Sequence, residues 1–118
     1  MRTGLSVIVL ATILLGLPFP ACAHAVLLSA TPGEREVLRG PDISVKLRFN
    51  SRIDAKRSRV ILVAPDGSQT TLALGDQPSP DTLASQAKGL RTGAFILRWQ
   101  VLASDGHITR GEIPFRVE

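Results

Sequence analysis

Apolar and polar residues alternate along most of the chain that follows residue 24. From Ile43 to Phe49 every second residue is apolar, a pattern typical of a strand with one buried and one solvent-exposed side. Similar alternation from Phe95 to Leu102 and from Ile113 to Glu118 predicts two more strands. Shorter apolar runs predict further strands at the following positions: Ala25 to Leu28, Arg59 to Ala64 and Thr70 to Leu74.

Residues that favour turns separate these segments. Pro65-Asp66-Gly67 lies between two predicted strands and indicates a tight hairpin. Residues 81–90 fit either one short helix or an irregular strand, and we expect a strand. Several short strands broken by turns, without a long helical pattern, predict an all-β protein. We expect an antiparallel β-sandwich with Trp99 packed between its sheets.

Residues 1–23 follow a different pattern. A single basic residue precedes an apolar run, Leu5 to Leu17, that has the length of a signal-peptide core and is too short to span a membrane comfortably. Ala21 and Ala23 then form the A-x-A pattern after which signal peptidase cuts. A retained apolar helix is the alternative, but no stop-transfer segment follows. We expect a cleaved signal peptide and a single exported domain of residues 24–118.

The chain's single cysteine, Cys22, offers a competing interpretation of this segment as a lipoprotein signal. That signal requires an aliphatic residue three positions before the cysteine and a small residue two positions before it. Phe19 and Pro20 occupy these two positions, and neither fits. We therefore expect Cys22 to be removed with the signal peptide. The exported domain then contains neither cysteine nor methionine, so its stability must come from a hydrophobic core rather than from disulfides.

Charge and motif content argue against several classes of function. The chain carries 14 basic and 10 acidic residues. Apart from Arg52 to Arg59 the basic residues are scattered, which gives no indication of nucleic-acid binding. The sequence has no nucleophile elbow and no glycine-rich phosphate loop, and neither histidine lies at a recognised spacing from a serine. We therefore expect a soluble binding protein rather than an enzyme.

The two histidines are candidate ligands for a metal ion. Asp105 and His107 flank Gly106, and in an extended segment their side chains would project to the same side, suitably placed for one ion. An exposed turn is the alternative interpretation, because Asp-Gly is a common turn dipeptide. Cleavage after Ala23 would give His24 a free α-amine, and this amine and the imidazole Nδ1 can chelate one metal.

His24, Asp105 and His107 together offer three nitrogens and one carboxylate oxygen. This set suits Cu(II), which heads the affinity order of divalent metals at nitrogen and oxygen sites, with Zn(II) as the competitor. Soft Cu(I) prefers thioether or thiolate ligands, which the exported domain lacks. We therefore expect one Cu(II) ion per chain.

Two stretches of the sequence resemble the CopC-type periplasmic copper-resistance proteins. His24 to Gly33, which reads H-A-V-L-L-S-A-T-P-G, is similar to the mature start of these proteins. Leu97 to His107, with Gly111 and Phe115 after it, is similar to their C-terminal signature. The resemblance implies a Greek-key, immunoglobulin-like or cupredoxin-like β-sandwich that binds copper in the periplasm.

By the same resemblance, the Cu(II) ligands are His24, through its amine and imidazole, Asp105 and His107. Some members of the family also hold Cu(I) in a methionine-rich loop, often with a second histidine two positions after the first. This chain has Val26 at that position and no methionine after Met1, so we predict a variant that binds only Cu(II). The resemblance further implies a copper carrier or buffer that delivers copper to a CopD-type inner-membrane transporter.

Two other functions stay open at the level of sequence. Copper oxygenases that cleave polysaccharides also use an N-terminal histidine chelate, but one tryptophan and no tyrosine leave little aromatic surface for stacking on sugars. A metal-free immunoglobulin-like adhesion or structural module would have the same β-sandwich, but its histidines would bind no metal.

Overall fold

The structure, a computed structural model, describes residues 25–118 together with Gly4 and Gly16. The predicted signal peptide, apart from those two glycines, and His24 lie outside the described residues. Residues 25–118 form one short 3-10 helix, Ala55–Arg57, and eight strands: β1 (Leu27–Thr31), β2 (Val37–Leu38), β3 (Ile43–Phe49), β4 (Arg59–Val63), β5 (Gln69–Leu72), β6 (Thr82–Ala87), β7 (Gly93–Leu102) and β8 (Ile108–Val117). Among the described residues, no helix has the length and apolar character needed to cross a membrane.

Within residues 25–118 the strands form two sheets that pack face to face as a β-sandwich. The three-stranded sheet has the order β1-β3-β6, and the five-stranded sheet has the order β2-β8-β7-β4-β5. Neighbouring strands are antiparallel except β2, which runs parallel to β8. The predicted all-β sandwich is therefore confirmed.

The core lies between the sheets and follows the alternation of the sequence. The two central strands bury every second side chain: Ile43, Val45, Leu47 and Phe49 in β3, and Phe95, Leu97, Trp99 and Val101 in β7. The sheets meet where Phe49 packs edge to face on Trp99, with ring centroids 5.1 Å apart. Trp99 is 8% exposed, which confirms its predicted place in the core.

Most of the predicted strands are present, but β8 begins earlier than expected. The alternation of large apolar residues predicts a strand from Ile113, whereas the observed strand begins at Ile108. Its additional inward positions are Thr109 and Gly111, which carry no large apolar side chain. Gly111 lies opposite Trp99, and a Cβ at this position would come within 2.3 Å of the indole ring. The tryptophan therefore fills the space that an apolar side chain would normally occupy.

The remaining segment predictions have mixed outcomes. Residues 82–87 form a strand, β6, and the hairpin at Pro65-Asp66-Gly67 joins β4 to β5, both as expected. The first strand was expected at Ala25 to Leu28 but runs over Leu27–Thr31, because pairing with β3 extends it past an irregularity between Leu27 and Ser29. The sequence pattern also missed β2, since a two-residue strand is too short to show alternation.

Candidate metal centre

A short turn, Ala103 to His107, joins the two long strands of the five-stranded sheet. The Gly106 N–H donates to the Ala103 carbonyl over 2.9 Å, and the Ala103 N–H donates to the His107 carbonyl over 3.0 Å. Gly106 has φ +87°, in the left-handed region that glycine adopts without a steric penalty. These features are those of a three-residue hairpin loop that ends on a left-handed glycine.

The carboxylate of Asp105 binds His107 twice. Its Oδ1 accepts the His107 backbone N–H at 3.0 Å, and its Oδ2 lies 2.9 Å from the imidazole Nδ1. A carboxylate on one ring nitrogen orients the imidazole and favours the tautomer in which the other nitrogen, Nε2, carries the lone pair that a metal requires. The His107 side chain is 59% exposed and the Asp105 side chain 25% exposed. The imidazole is thus oriented by Asp105 while remaining accessible from solvent.

Of the two arrangements that the sequence left open for Asp105 and His107, an extended segment and an Asp-Gly turn, the structure contains the turn. In an extended strand, residues two apart are separated by roughly 6–7 Å along the strand. Here the left-handed Gly106 closes a turn, and the carboxylate and imidazole come into direct contact. The turn that the Asp-Gly dipeptide suggested is therefore the observed structure, and it brings the two predicted ligands closer together than a strand would.

The loop after β3 packs against this turn. The Ser104 N–H donates to the Arg52 carbonyl over 3.0 Å, and the hydroxyls of Ser51 and Ser104 lie 3.4 Å apart. Ile53 and Ala103 form an isolated antiparallel bridge immediately beside it. Backbone contacts on this side therefore fix the position of the turn relative to the end of β3.

The same loop binds the first residues of the described chain. The Val26 N–H donates to the Asn50 Oδ1 over 2.7 Å, and the Asn50 N–H donates to the Val26 carbonyl over 3.0 Å. Ala25 is 1% exposed. Val26 and the Ala103–His107 turn are thus both connected to the segment Asn50 to Ile53 at one end of the sandwich.

The described residues assemble part of the predicted ligand set. Asp105 and His107 are brought together as expected, whereas His24 lies outside the described residues. Within residues 25–118, no three histidine, cysteine, aspartate or glutamate side chains are grouped closely enough to hold a metal ion.

Asn50 and Ser51 support this end of the molecule and were not identified from the sequence. Their partners, Val26 and Ser104, are 24 and 53 residues away along the chain. No local spacing or periodicity relates residues so far apart. The one signal that could have drawn attention to them is their position directly after a strongly alternating strand, where loops often carry functional residues.

Comparison with known proteins gives a consistent set of similarities. A family model described as the CopC domain matches residues 27–118. The chain is similar to CopC from Methylosinus trichosporium OB3b, with a TM-score of 0.75 and 28% identity over 80% of this chain and 94% of that one. It is also similar in fold to PcoC, a methionine-rich copper resistance protein from Escherichia coli, with a TM-score of 0.66 and 24% identity over 81% of this chain and 100% of that one.

A longer relative matches as well. The copper transport protein CutJ of Bacillus subtilis (strain 168) is 25% identical to this chain over 114 residues, or 93% of the chain. The chain spans 21% of the length of that relative. The match therefore concerns one domain-sized part of CutJ.

Proposed function

The chain belongs to the CopC domain family, and we propose that it is a periplasmic protein that binds one Cu(II) ion and carries or buffers copper. The observation that carries this proposal is the contact of 2.9 Å between Asp105 and the imidazole of His107 on an exposed hairpin turn. Copper in the names of CutJ and PcoC supports the choice of metal.

We propose His107, Asp105 and His24 as the residues that hold Cu(II). In this proposal His107 contributes an imidazole nitrogen, Asp105 a carboxylate oxygen, and His24 its α-amine and its imidazole. Support for His24 comes from the residues that follow it. Ala25 and Val26 are held at the end of the sandwich where the Asp105–His107 turn lies, and a preceding residue is attached at a Cα distance of about 3.8 Å.

The chemistry of these groups favours Cu(II) over other ions. Three nitrogens and one oxygen suit the tetragonal geometry of Cu(II), and Zn(II) is the expected competitor. Residues 24–118 contain no cysteine and no methionine, so soft sulfur ligands for Cu(I) are absent from this part of the sequence.

Removal of residues 1–23 is an essential step of the proposal. While Ala23 is attached, the His24 nitrogen is a peptide amide and cannot serve as an amine ligand. Cleavage by signal peptidase after Ala23 would create an amine with an ordinary pKa of ~8, from which a metal can displace the proton near neutral pH. Export and assembly of the copper site are therefore coupled in this proposal.

Exposure of the turn favours a role in transfer. The His107 side chain is 59% exposed, so a competing ligand from another protein can reach it without unfolding of the sandwich. An exposed site suits a carrier that releases copper to a partner, and we propose that the partner is an inner-membrane transporter of the CopD type.

Intact mass of the secreted protein, measured with and without Cu(II), tests this proposal. We expect a mass that begins at His24 and that increases by one copper. Acetylation of the N-terminus or the substitution His24→Ala should abolish the increase, because each removes a nitrogen from the chelate. A variant with one additional glycine before His24 tests the position of the amine alone, since it keeps the imidazole and moves only the amine.

Each other outcome has a definite meaning. Undiminished copper binding by the acetylated protein would contradict the amine chelate while leaving a copper site elsewhere. Absence of bound copper in correctly processed protein would favour a metal-free module. Release of oxidised sugars from polysaccharide in the presence of peroxide would instead indicate a copper oxygenase.

A further inference from the structure

A row of basic and amide side chains crosses the outer face of the five-stranded sheet. Arg59 on β4 is opposite Gln100 on β7, and Gln100 is opposite Arg110 on β8. Side chains directly opposite one another in neighbouring strands have Cβ atoms about 5 Å apart. Because the neighbouring residues Val60, Trp99 and Val101 point into the core, this row faces away from it.

Gln100 holds the two guanidinium groups together. Arg110 donates from Nε to the Gln100 Oε1 over 2.8 Å, and Arg59 donates from Nη2 to the same oxygen over 3.4 Å. Arg59 and Arg110 lie on the two strands that flank β7, and their guanidinium groups converge on one oxygen. Like charges this close repel each other, and a neutral amide oxygen does not cancel that repulsion. With Oε1 turned toward the arginines, the Gln100 amide presents its NH₂ group as a further donor.

The charges of this row are not balanced by carboxylates. Among residues 25–118, neither Arg59 nor Arg110 forms an ion pair. In the adjacent row Arg98 is paired with Glu112 over 2.8 Å. The neighbourhood therefore holds three guanidinium groups and one carboxylate, and the unbalanced positive charge lies on Arg59 and Arg110.

These side chains surround a shallow depression of about 380 Å³. Its walls include both unbalanced arginines, Gln100 and the Arg98–Glu112 pair, with Ile61 on one side. Trp99 and Gly111 also line it. The volume is sufficient for a phosphate or carboxylate group.

We propose that this depression binds an oxyanion, with Arg59 and Arg110 as its principal ligands and the Gln100 amide as a third donor. Guanidinium groups have planar, forked N–H donors that match the paired oxygens of carboxylate and phosphate. An oxyanion between them would supply the negative charge that Gln100 does not. Arg98, which is already paired, would contribute a more distant positive charge.

The depression lies beside the Ala103–His107 turn. Arg110 follows His107 by three residues, a distance of about 10 Å along an extended strand. A phosphate or carboxylate group bound here would therefore hold its carrier molecule next to the turn. The anion site itself does not depend on copper, so it can be tested in metal-free protein, where failure of the copper proposal has no effect.

Titration of the metal-free, ¹⁵N-labelled secreted protein with sodium phosphate tests the proposal. Sodium chloride is exchanged for phosphate at fixed ionic strength, so that general screening stays constant. We expect saturable shifts of the Arg59 and Arg110 Nε–H signals and of the Gln100 side-chain amide. Shifts that grow linearly without saturation, or that occur equally at all arginines, would overturn the site.

Substitutions locate the binding to this row. Arg59→Gln and Arg110→Gln should each weaken phosphate binding about tenfold, since each removes one charge-assisted pair. Arg116→Gln is the matched control. Arg116 is exposed and lies on β8, the strand of Arg110, but it does not line the depression. Equal phosphate affinity in Arg59→Gln, Arg110→Gln and the unchanged protein would contradict the proposal.

A parallel titration with a short peptide of glutamate residues distinguishes the source of the oxyanion. Tighter binding of the peptide than of phosphate would indicate carboxylates on an acidic partner surface. Tighter binding of inorganic phosphate would indicate a free or lipid-borne phosphate group. Saturation by neither ligand would overturn the proposal even if the arginine signals shift.

Discussion

Two hairpin turns of this protein have nearly the same sequence and the same backbone, yet only one carries a histidine. Ala64-Pro-Asp-Gly-Ser68 joins β4 to β5, and Ala103-Ser-Asp-Gly-His107 joins β7 to β8. In the first turn the Gly67 N–H donates to the Ala64 carbonyl over 2.9 Å, as Gly106 does to Ala103 over 2.9 Å in the second. The two glycines have φ +84° and +87°.

The aspartates act alike in both turns. Asp66 Oδ1 accepts the Ser68 backbone N–H at 2.9 Å and the Ser68 hydroxyl at 2.6 Å. These two hydrogen bonds, the hydroxyl one first, hold the pKa of Asp66 below its usual range. Asp105 likewise binds both the backbone and the side chain of His107, through Oδ1 and Oδ2 respectively. The aspartate therefore orients whatever residue follows the glycine, and that residue decides the chemistry of the turn.

The surroundings of the two turns differ more than the turns themselves. Val63, just before the first turn, is opposite Ile96 on β7, whereas the second turn follows Leu102, about 20 Å further along β7. The first turn lies against Gly93, where a Cβ would come within 2.7 Å of the Pro65 ring. The second lies against the Asn50–Ile53 segment that also holds Val26. Equal local structure thus serves two different ends of the sandwich.

Exchange of the residue that follows the glycine, His107 in one turn and Ser68 in the other, should have the largest effect. His107→Ser should lower Cu(II) affinity by at least about 100-fold, since loss of a residue that only orients a ligand already costs about 10–100-fold. Ser68→His should create a second Asp-Gly-His turn without a second tight copper site. The reason is that Val26, which follows the proposed ligand His24 by two positions, is held at the other end of the sandwich. Isothermal titration with Cu(II), in competition with a chelator of known affinity, measures both.

Stability serves as the control for this exchange. Each variant should unfold within about 0.5 kcal/mol of the unchanged metal-free protein, because both positions are exposed. Two tight copper equivalents in Ser68→His would show that the turn alone makes the site and that its surroundings do not matter.

Amide substitutions of the two aspartates should have the next largest effect. Asp105→Asn keeps an oxygen for the His107 backbone N–H but replaces the charged acceptor of the ring N–H. We expect roughly 10–100-fold weaker Cu(II) binding. Asp66→Asn is the matched control and should leave copper affinity unchanged. The same competition titration measures both, and an Asp105→Asn protein that binds copper like the unchanged chain would show that the carboxylate neither binds nor orients.

Alanine at the turn glycines should have the smallest effect and should be equal at both turns. At Gly67 and Gly106 an added Cβ would meet no atom of the described residues within 4 Å, so the cost is that of the left-handed backbone alone. We expect each variant to lose about 1–2 kcal/mol of unfolding free energy in urea. Gly75→Ala is the control, because its Cβ would meet only the Ala84 carbonyl, at 3.8 Å, without a positive φ. A loss confined to one turn would show that their backbones are not equivalent.

Much of the fold could be predicted because burial repeats along the chain. In β3 and β7 every second side chain is buried, and the sequence shows this directly. The first part of β8 could not be predicted in this way. Its inward residues are Thr109 and Gly111, and the reason for the glycine is the indole of Trp99 on the neighbouring strand. That reason becomes visible only when the two strands are paired.

The candidate site divides along the same line. The pairing of Asp105 with His107 followed from residues two apart, although the turn rather than an extended strand brings them together. The support from Asn50 and Ser51 had no counterpart in the sequence pattern, because their partners are distant along the chain. The arginine row was likewise hidden, since Arg59, Gln100 and Arg110 lie on three different strands.

By itself, the sequence determined the short-range features of this protein: the alternation that makes strands, the two Asp-Gly turns, and the contact between Asp105 and His107. These depend on hydrogen bonds and side-chain directions within a few residues, which the local sequence specifies. Only the tertiary structure decided which end of the sandwich each turn occupies and which side chains meet across strands. Those relations follow from strand register, which is set by the packing of the whole core.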